Sequence, residues 1–264
     1  MNRIELVFKR LKDKSRVALI PFIVAGDPDL KTTEALVLKM AEKGADIIEL
    51  GVPFSDPLAD GPIIQAASQR ALKNGVNPRD IFRLTERLKG IDIPLVLMGY
   101  FNPIFQYGLK NFAEDCYRNG IDGVIIPDLP PEEARPWIGE ARRMNLDTIF
   151  LIAPTSPPER IKLVSRCSRG FIYYVSVTGV TGPREKLPEE LQIPVKRIKD
   201  ISQKPVAVGF GISTPEQAKT VSRFADGVIV GSAIVKIIKE NLKNLEMIER
   251  VGDFVTSLTK VLNL

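Results

Sequence analysis

Eight short, almost uninterrupted apolar runs recur along this chain of 264 residues, and a longer amphipathic stretch follows most of them. The runs cover residues 18–25, 46–51, 94–100, 123–128, 148–153, 171–177, 205–211 and 227–231. Strands that are apolar along both faces belong to a parallel sheet covered by helices, because a half-exposed strand would alternate. Helical periodicity fills the intervals at 30–43, which stops at Gly44, and at 103–119, which stops at Gly120. Residues 131–145, 157–168 and 215–223 each open near a proline, which favours the first helical turn. The tripeptides Gly44-Ala45-Asp46 and Gly120-Ile121-Asp122 mark points where a helix stops and the next strand starts. Eight such alternations predict an α/β (β/α)8 TIM barrel, a single domain over residues 1–264; a doubly wound open sheet is the rival. An N-terminal helix at 4–12 and extra helices after strand 2 (62–74, before 78–89) and after strand 8 fall outside the simple repeat.

Composition narrows the chemistry. The chain contains no histidine, so proton transfer near neutral pH falls to Asp, Glu, Tyr, Cys or Lys. A Cys/His zinc site is excluded for the same reason, and Cys116 and Cys167 read as small buried hydrophobes; no metal site is expected. The balance of 37 basic and 32 acidic residues gives only +5, without a dense basic block, which argues against nucleic-acid binding and suits an anionic metabolite. The amphipathic N-terminus lacks the apolar core of a signal peptide, and no run is long enough to span a membrane. A cytoplasmic location is expected.

In barrels of this kind the active site lies at the C-terminal ends of the strands. Glu49 stands there on the second strand, Tyr100 ends the third, Asp128 ends the fourth, and Tyr173 lies within the sixth. A carboxylate flanked by Ile47, Ile48 and Leu50 loses hydration, which raises its pKa and lets it carry a proton, unless a basic side chain pairs with it. Asp60 is the second candidate acid on the following loop, although Asp before Gly61-Pro62 also reads as a helix N-cap; Asp56 also reads as a turn residue. The segment 209–213 after the seventh strand and Gly231-Ser232 after the eighth, where a helix opens, are positioned for a phosphate, or else serve tight turns alone. Phe22, Ile64, Tyr100, Tyr173 and Phe210 offer a flat apolar pocket for a planar ligand, with core packing as the default for each. The Gly- and Thr-rich loop 178–188 is a lid candidate.

The segment Glu49-Leu50-Gly51-Val52-Pro53-Phe54-Ser55-Asp56-Pro57-Leu58-Ala59-Asp60-Gly61-Pro62 resembles the signature of the tryptophan synthase alpha subunit family. Tyr100-Phe101-Asn102-Pro103, Pro127-Asp128-Leu129-Pro130, residues 176–182, Phe210-Gly211-Ile212-Ser213 and residues 231–235 match further family motifs in order, so the resemblance spans essentially the whole chain. It implies a lyase that splits indole-3-glycerol phosphate into indole and glyceraldehyde 3-phosphate in tryptophan biosynthesis, by a retro-aldol reaction. Glu49 and Asp60 would be the catalytic pair, with Asp60 facing the indole N–H and Glu49 acting at C3 as acid and then base. Thr181 would hydrogen-bond Asp60 on lid closure. Gly182, Gly211, Gly231 and Ser232 would hold the phosphate, and Phe22, Tyr100, Ile125, Leu151, Tyr173 and Phe210 would line the indole and glycerol regions.

The resemblance also implies a partner: a β subunit in an αββα heterotetramer, which alone carries pyridoxal phosphate, leaving this chain without a cofactor. The contact face would include Pro53, Asp56 and Pro57, together with Asn102, Phe105 and Pro130. Two other readings compete. A related barrel that closes the indole ring would need a catalytic lysine on a strand, and no strand core contains one. A non-catalytic subunit that binds the phosphate ligand and activates a pyridoxal-phosphate-dependent β partner would keep the same binding residues.

Overall fold

Every apolar run becomes a strand because it can be buried on both sides, against the barrel interior and against a ring of helices. The computed structural model describes residues 2–175, 191–209 and 211–263. An N-terminal helix α1 (Arg3–Asp13) precedes β1 (Ala18–Val24). Next come α2 (Leu30–Glu42), β2 (Ile48–Gly51), α3 (Pro62–Lys73), α4 (Pro78–Arg87) and β3 (Leu95–Met98). They are followed by α5 (Phe101–Tyr107), α6 (Leu109–Arg118), β4 (Gly123–Ile125), α7 (Arg135–Arg143), β5 (Asp147–Ile149) and β6 (Leu151–Ile152). The chain continues through α8 (Pro158–Cys167), β7 (Ile172–Val175), α9 (Gln192–Ser202), β8 (Val206–Gly209), α10 (Pro215–Ser222), β9 (Gly227–Val230), α11 (Ser232–Glu240) and α12 (Met247–Leu262).

All the pairings between these strands are parallel, in the order β5-β4-β3-β2-β1-β9-β8-β7-β6. The pairing of β1 with β9, from Ala18↔Gly227 to Pro21↔Val230, brings first and last strands together and rules out the open sheet. β5 and β6 are two pieces of one stave interrupted at Phe150, so the ring closes through the chain itself. Eight staves are thus present, the fifth in two segments, and the (β/α)8 expectation holds.

One helical expectation needs correction, and one helix was not expected. The stretch 103–119 is not one helix: Gly108 adopts φ +91°, a left-handed conformation that ends α5 and starts α6 in a new direction. The helix α9 has no counterpart in the sequence pattern, because Pro194 sits inside the apolar run. Pro194 falls in the first turn of α9, where a missing N–H leaves no intrahelical bond unmade.

Aspartates just before strands, two of them in the Gly-X-Asp tripeptides, organise the N-terminal end of the barrel. Asp46 accepts the N–H of Leu19 at 3.0 Å, Asp122 that of Leu95 at 3.0 Å, and Asp226 that of Val206 at 2.9 Å. Each carboxylate therefore joins the start of its own strand to the start of its neighbour, and each faces a cation: Arg16, Arg3 and Lys199. Asp147 occupies the equivalent place on β5 but differs. It is fully buried, neither oxygen has a hydrogen-bond partner among the described residues, and Arg169 Nε stands 3.7 Å away. Burial, reinforced by Glu5 and Asp122 and opposed by Arg169 and Lys204, pushes its carboxyl up to about 7. Because the folded value lies above the unfolded one, stability drains away as pH climbs from about 4 to about 7. Asp147→Asn is therefore expected to raise the melting temperature by ~5 °C at pH 8, with the gain vanishing near pH 4. Thermal melts across that range check it; equal melting temperatures at pH 8 would refute the burial argument.

Candidate active site

Glu49 pairs in register with Phe22 on β1 and Val96 on β3, which places it at the C-terminal half of the barrel wall. A cavity of about 450 Å³ opens there, lined by Phe22, Glu49, Asp60, Ile64, Met98, Tyr173, Gly211, Ile212, Ile229, Gly231 and Ser232. Alternation along each strand decides who takes part: Glu49 turns inward while its neighbours Ile48 and Leu50 pack in the wall. Close approach of backbone to ring also shapes the space. A Cβ on Gly209 would lie 2.4 Å from the Tyr173 hydroxyl, and one on Gly51 would lie 2.7 Å from the Phe22 ring.

Glu49 is 1 % exposed, and both carboxyl oxygens lack a hydrogen-bond partner among the described residues. No cation pairs with it there, so the ion-pair reading is not what the structure presents. Burial, with the Asp60 charge adding to it, pushes the Glu49 carboxyl up to about 8. At neutral pH it holds a proton ready for donation.

Asp60 is not the N-cap of α3. Gly61 takes that position without a side-chain cap, and the Asp60 carboxylate instead accepts the Tyr100 hydroxyl at 3.0 Å. Tyr100 in turn accepts the Ala59 N–H at 2.9 Å, and the amide of Gln65 donates to the Asp60 carbonyl at 2.8 Å. Burial raises the Asp60 carboxyl to about 6, with the Tyr100 hydrogen bond pulling the other way. Two neighbouring carboxyls with separated values divide the labour: at pH 7 Asp60 is mostly the anion and Glu49 mostly the acid. Removing the hydroxyl with Tyr100→Phe should push the acidic limb of activity to higher pH and cost about tenfold in kcat/KM at pH 6, the worth of a hydrogen bond to a charge, and less at pH 7.5. An unmoved acidic limb would show that Tyr100 does not tune Asp60.

The other end of the cavity is built from backbone. Gly211 has φ +84°, and Gly231 caps α11 with no side chain closing the helix end. By contrast α10 is capped by Thr214. The open N-terminus of α11, beginning at Ser232, faces the cavity and favours an anion.

Other candidates fall in different places. Tyr100 is buried at the rim, where it reaches the cavity through Asp60; Ile125, which is buried, and the half-buried Leu151 lie in the staves outside the cavity lining. Thr181, Gly182, Phe210 and the lid segment 178–188 lie outside the described residues. Asp128 accepts the Phe101 N–H at 2.9 Å and so anchors α5. Asp56, Asn102 and Phe105 are exposed, Pro57 and Pro130 half-buried, and Pro53 buried. Leu58, unnoticed in the sequence, is 94 % exposed beside Asp56. Met98, Ile212 and Ile229 also line the cavity unforeseen. A signal was available for two of them: Met98 lies two residues before Tyr100 and Ile229 two before Gly231, hence on the same face of each chain segment. Among the described residues no cluster of three or more His, Cys, Asp or Glu side chains is placed to hold a metal ion.

Fold and site together define an enzyme of the (β/α)8-barrel class with two neighbouring carboxyls of raised pKa in one cavity. Comparison with known proteins agrees. The profile of the family described as "Tryptophan synthase alpha chain" matches residues 8–261. The tryptophan synthase alpha chain of Thermoanaerobacter sp. (strain X514) is 51% identical over 263 residues, covering 99% of this chain and 100% of the relative. That of Geobacter sulfurreducens is 51% identical over 263 residues, covering 99% of each. Among solved structures, tryptophan synthase subunit alpha from Legionella pneumophila superposes with a TM-score of 0.93 at 39% identity, covering 100% of this chain and 99% of that one. A tryptophan synthase chain from Mycobacterium tuberculosis gives 0.91 at 40% identity, covering 100% and 99%. The chain belongs to the tryptophan synthase alpha chain family.

Proposed function

We propose that this chain carries out the alpha reaction of tryptophan synthase, cleaving indole-3-glycerol phosphate to indole and glyceraldehyde 3-phosphate with Glu49 and Asp60 as the reacting pair. The observation that carries the reading is Glu49 itself: a buried carboxylic acid with no hydrogen-bond partner among the described residues, in the same cavity as an uncapped helix N-terminus. With the phosphate at Gly211, Gly231 and Ser232, the indole ring lies between Phe22, Ile64 and Tyr173, within reach of both acids.

Indole is a poor leaving group until C3 is protonated. Glu49 donates its proton to C3, and the positive charge that develops on the ring nitrogen faces the Asp60 anion. The Glu49 carboxylate then accepts the proton of the side-chain hydroxyl next to C3. The O–H electrons form the aldehyde C=O, the C–C bond breaks, and its electron pair returns to the ring, which regains aromaticity. Glu49 ends protonated, as it began, and the low-dielectric cavity strengthens each of these interactions.

No redox group or carbonyl-trapping lysine enters this sequence, and none of the described cavity residues is a lysine, which speaks against the ring-closing alternative. The family needs no cofactor in this subunit, since pyridoxal phosphate belongs to the β subunit. The reading includes that partner, seated over Asp56, Leu58, Asn102 and Phe105 in an αββα complex, and a cytoplasmic location. Among the described residues no helix is long and apolar enough to cross a membrane. The experiment is incubation of the chain with indole-3-glycerol phosphate and assay of indole, alone and with a β subunit. Slow release alone and faster release with β is the expected result. Substrate binding without indole release under either condition would favour a non-catalytic activator.

A further inference from the structure

The Asp60 main chain is tied to one helix, and that helix is tied to the barrel at its far end. The Asp60 carbonyl accepts the Gln65 amide at 2.8 Å, on the first turns of α3, so the placement of α3 is the placement of Asp60. Five residues further along, Arg70 grips Asp27 with both arms of its guanidinium, Nε to Oδ1 at 2.7 Å and Nη2 to Oδ2 at 2.8 Å. Asp27 is 1 % exposed. It lies on the turn that follows β1, and Asn74 of the same helix end donates to the carbonyl of Pro28. That turn is itself fixed. Gly26 has φ +88° and donates its N–H to Thr33 Oγ1 at 2.9 Å, and a Cβ on Gly26 would meet the Val76 side chain at 2.6 Å.

A forked, charge-assisted pair constrains direction as well as distance, which a single-point contact does not. An α-helix is stiff over the ~8 Å between Arg70 and Gln65, so a shift at one end is felt at the other. We propose that Arg70 is a positioning residue for the lyase reaction: through Asp27 it sets where α3 sits, and through Gln65 it holds Asp60 against Tyr100 and the cavity. The inference rests on the function proposed above and assigns to that site a support that touches no substrate.

The test uses the full chain assayed with a β subunit. Arg70→Lys keeps the charge and loses the fork. The double variant Asp27→Asn/Arg70→Met removes the pair without stranding a buried charge. Misplacing a reacting group by about 1 Å costs on the order of 100-fold, so a partial shift is expected to lower kcat by about 10-fold in each, with KM changed less than about twofold. Once α3 slackens, Asp60 gains water and loosens from Tyr100; burial is the larger of these two opposed influences, so its carboxyl 13C titration and the acidic limb of kcat should both move to lower pH. Gln65→Met should give the same shift, and adding Arg70→Lys to it should change little more, as for two links of one chain. A wild-type kcat, acidic limb and Asp60 titration in Arg70→Lys and in the double variant, with only the melting temperature lowered, would overturn the positioning role. Absence of indole release from the wild type would instead overturn the proposed activity, while the Asp60 titration still reports on Arg70 by itself.

Discussion

Glu49→Gln is expected to make this protein almost inactive and more stable at the same time. The amide cannot deliver a proton to indole C3 or take one from the hydroxyl, and loss of a general acid–base group costs about 10²–10⁴-fold. The stability gain follows from the same burial. Burial pushes the carboxyl up to about 8 in the fold, against the ordinary 4.5 of a solvated glutamate. The unfolded chain therefore gives up its proton first as pH rises, and the native state loses stability through that window. Glutamine has no proton to lose. At ~1.4 kcal/mol per pH unit and ~2–4 °C per kcal/mol, even half of that displacement gives a gain of ~5–10 °C at pH 8. The gain should shrink to nothing below about pH 4. Indole release assays and thermal melts at several pH values check both halves. Substantial turnover would remove Glu49 from the mechanism, and an unchanged melting temperature at pH 8 would mean that its carboxyl is not held protonated.

Asp60→Asn should be nearly as damaging, by a different route. It leaves the proton donor in place and deletes the anion facing the ring nitrogen, a loss of about 10²–10³-fold for a preorganised charge. Its signature is the pH profile. The proposed reaction needs Asp60 ionised and Glu49 protonated, so kcat/KM should be bell-shaped with limbs near 6 and 8. These are apparent values of a pair, because each charge bears on the other. In Asp60→Asn the acidic limb should vanish. The alkaline limb should move to lower pH, since the Asp60 charge is one of the two causes that raise Glu49. A residual activity that keeps the wild-type bell would assign the limbs to other groups.

Much of the fold was legible because burial on both faces writes itself into composition: seven of the eight apolar runs, from Ala18 to Gly231, are single staves. Phe150 was not seen as a break because it is as apolar as its neighbours. Gly108 was missed for the opposite reason, since a lone glycine inside a helical pattern does not announce its φ. Of the site, Glu49 could be read from a charge placed in an apolar strand, and the cavity holds it as expected. The Asp60 environment could not be read. Its N-cap alternative was local and plausible, whereas its real partner, Tyr100, comes from the segment after β3, 40 residues away. Long-range hydrogen bonds leave no local pattern, and the Arg70–Asp27 fork, 43 residues apart, was silent for the same reason.

The position of β1 in the ring bears on how the reaction ends. The two acids assigned to the proposed reaction come from β2 and the loop after it, the proposed anion cradle comes from the segments after β8 and β9, and Phe22 of β1 lies between them. On the proposed function, a molecule stretched across that phenylalanine would be gripped by two different halves of the wall. Scission of one carbon–carbon bond therefore divides the ligand along the same seam as its hosts, and each fragment is left with its own grip and its own moment of departure.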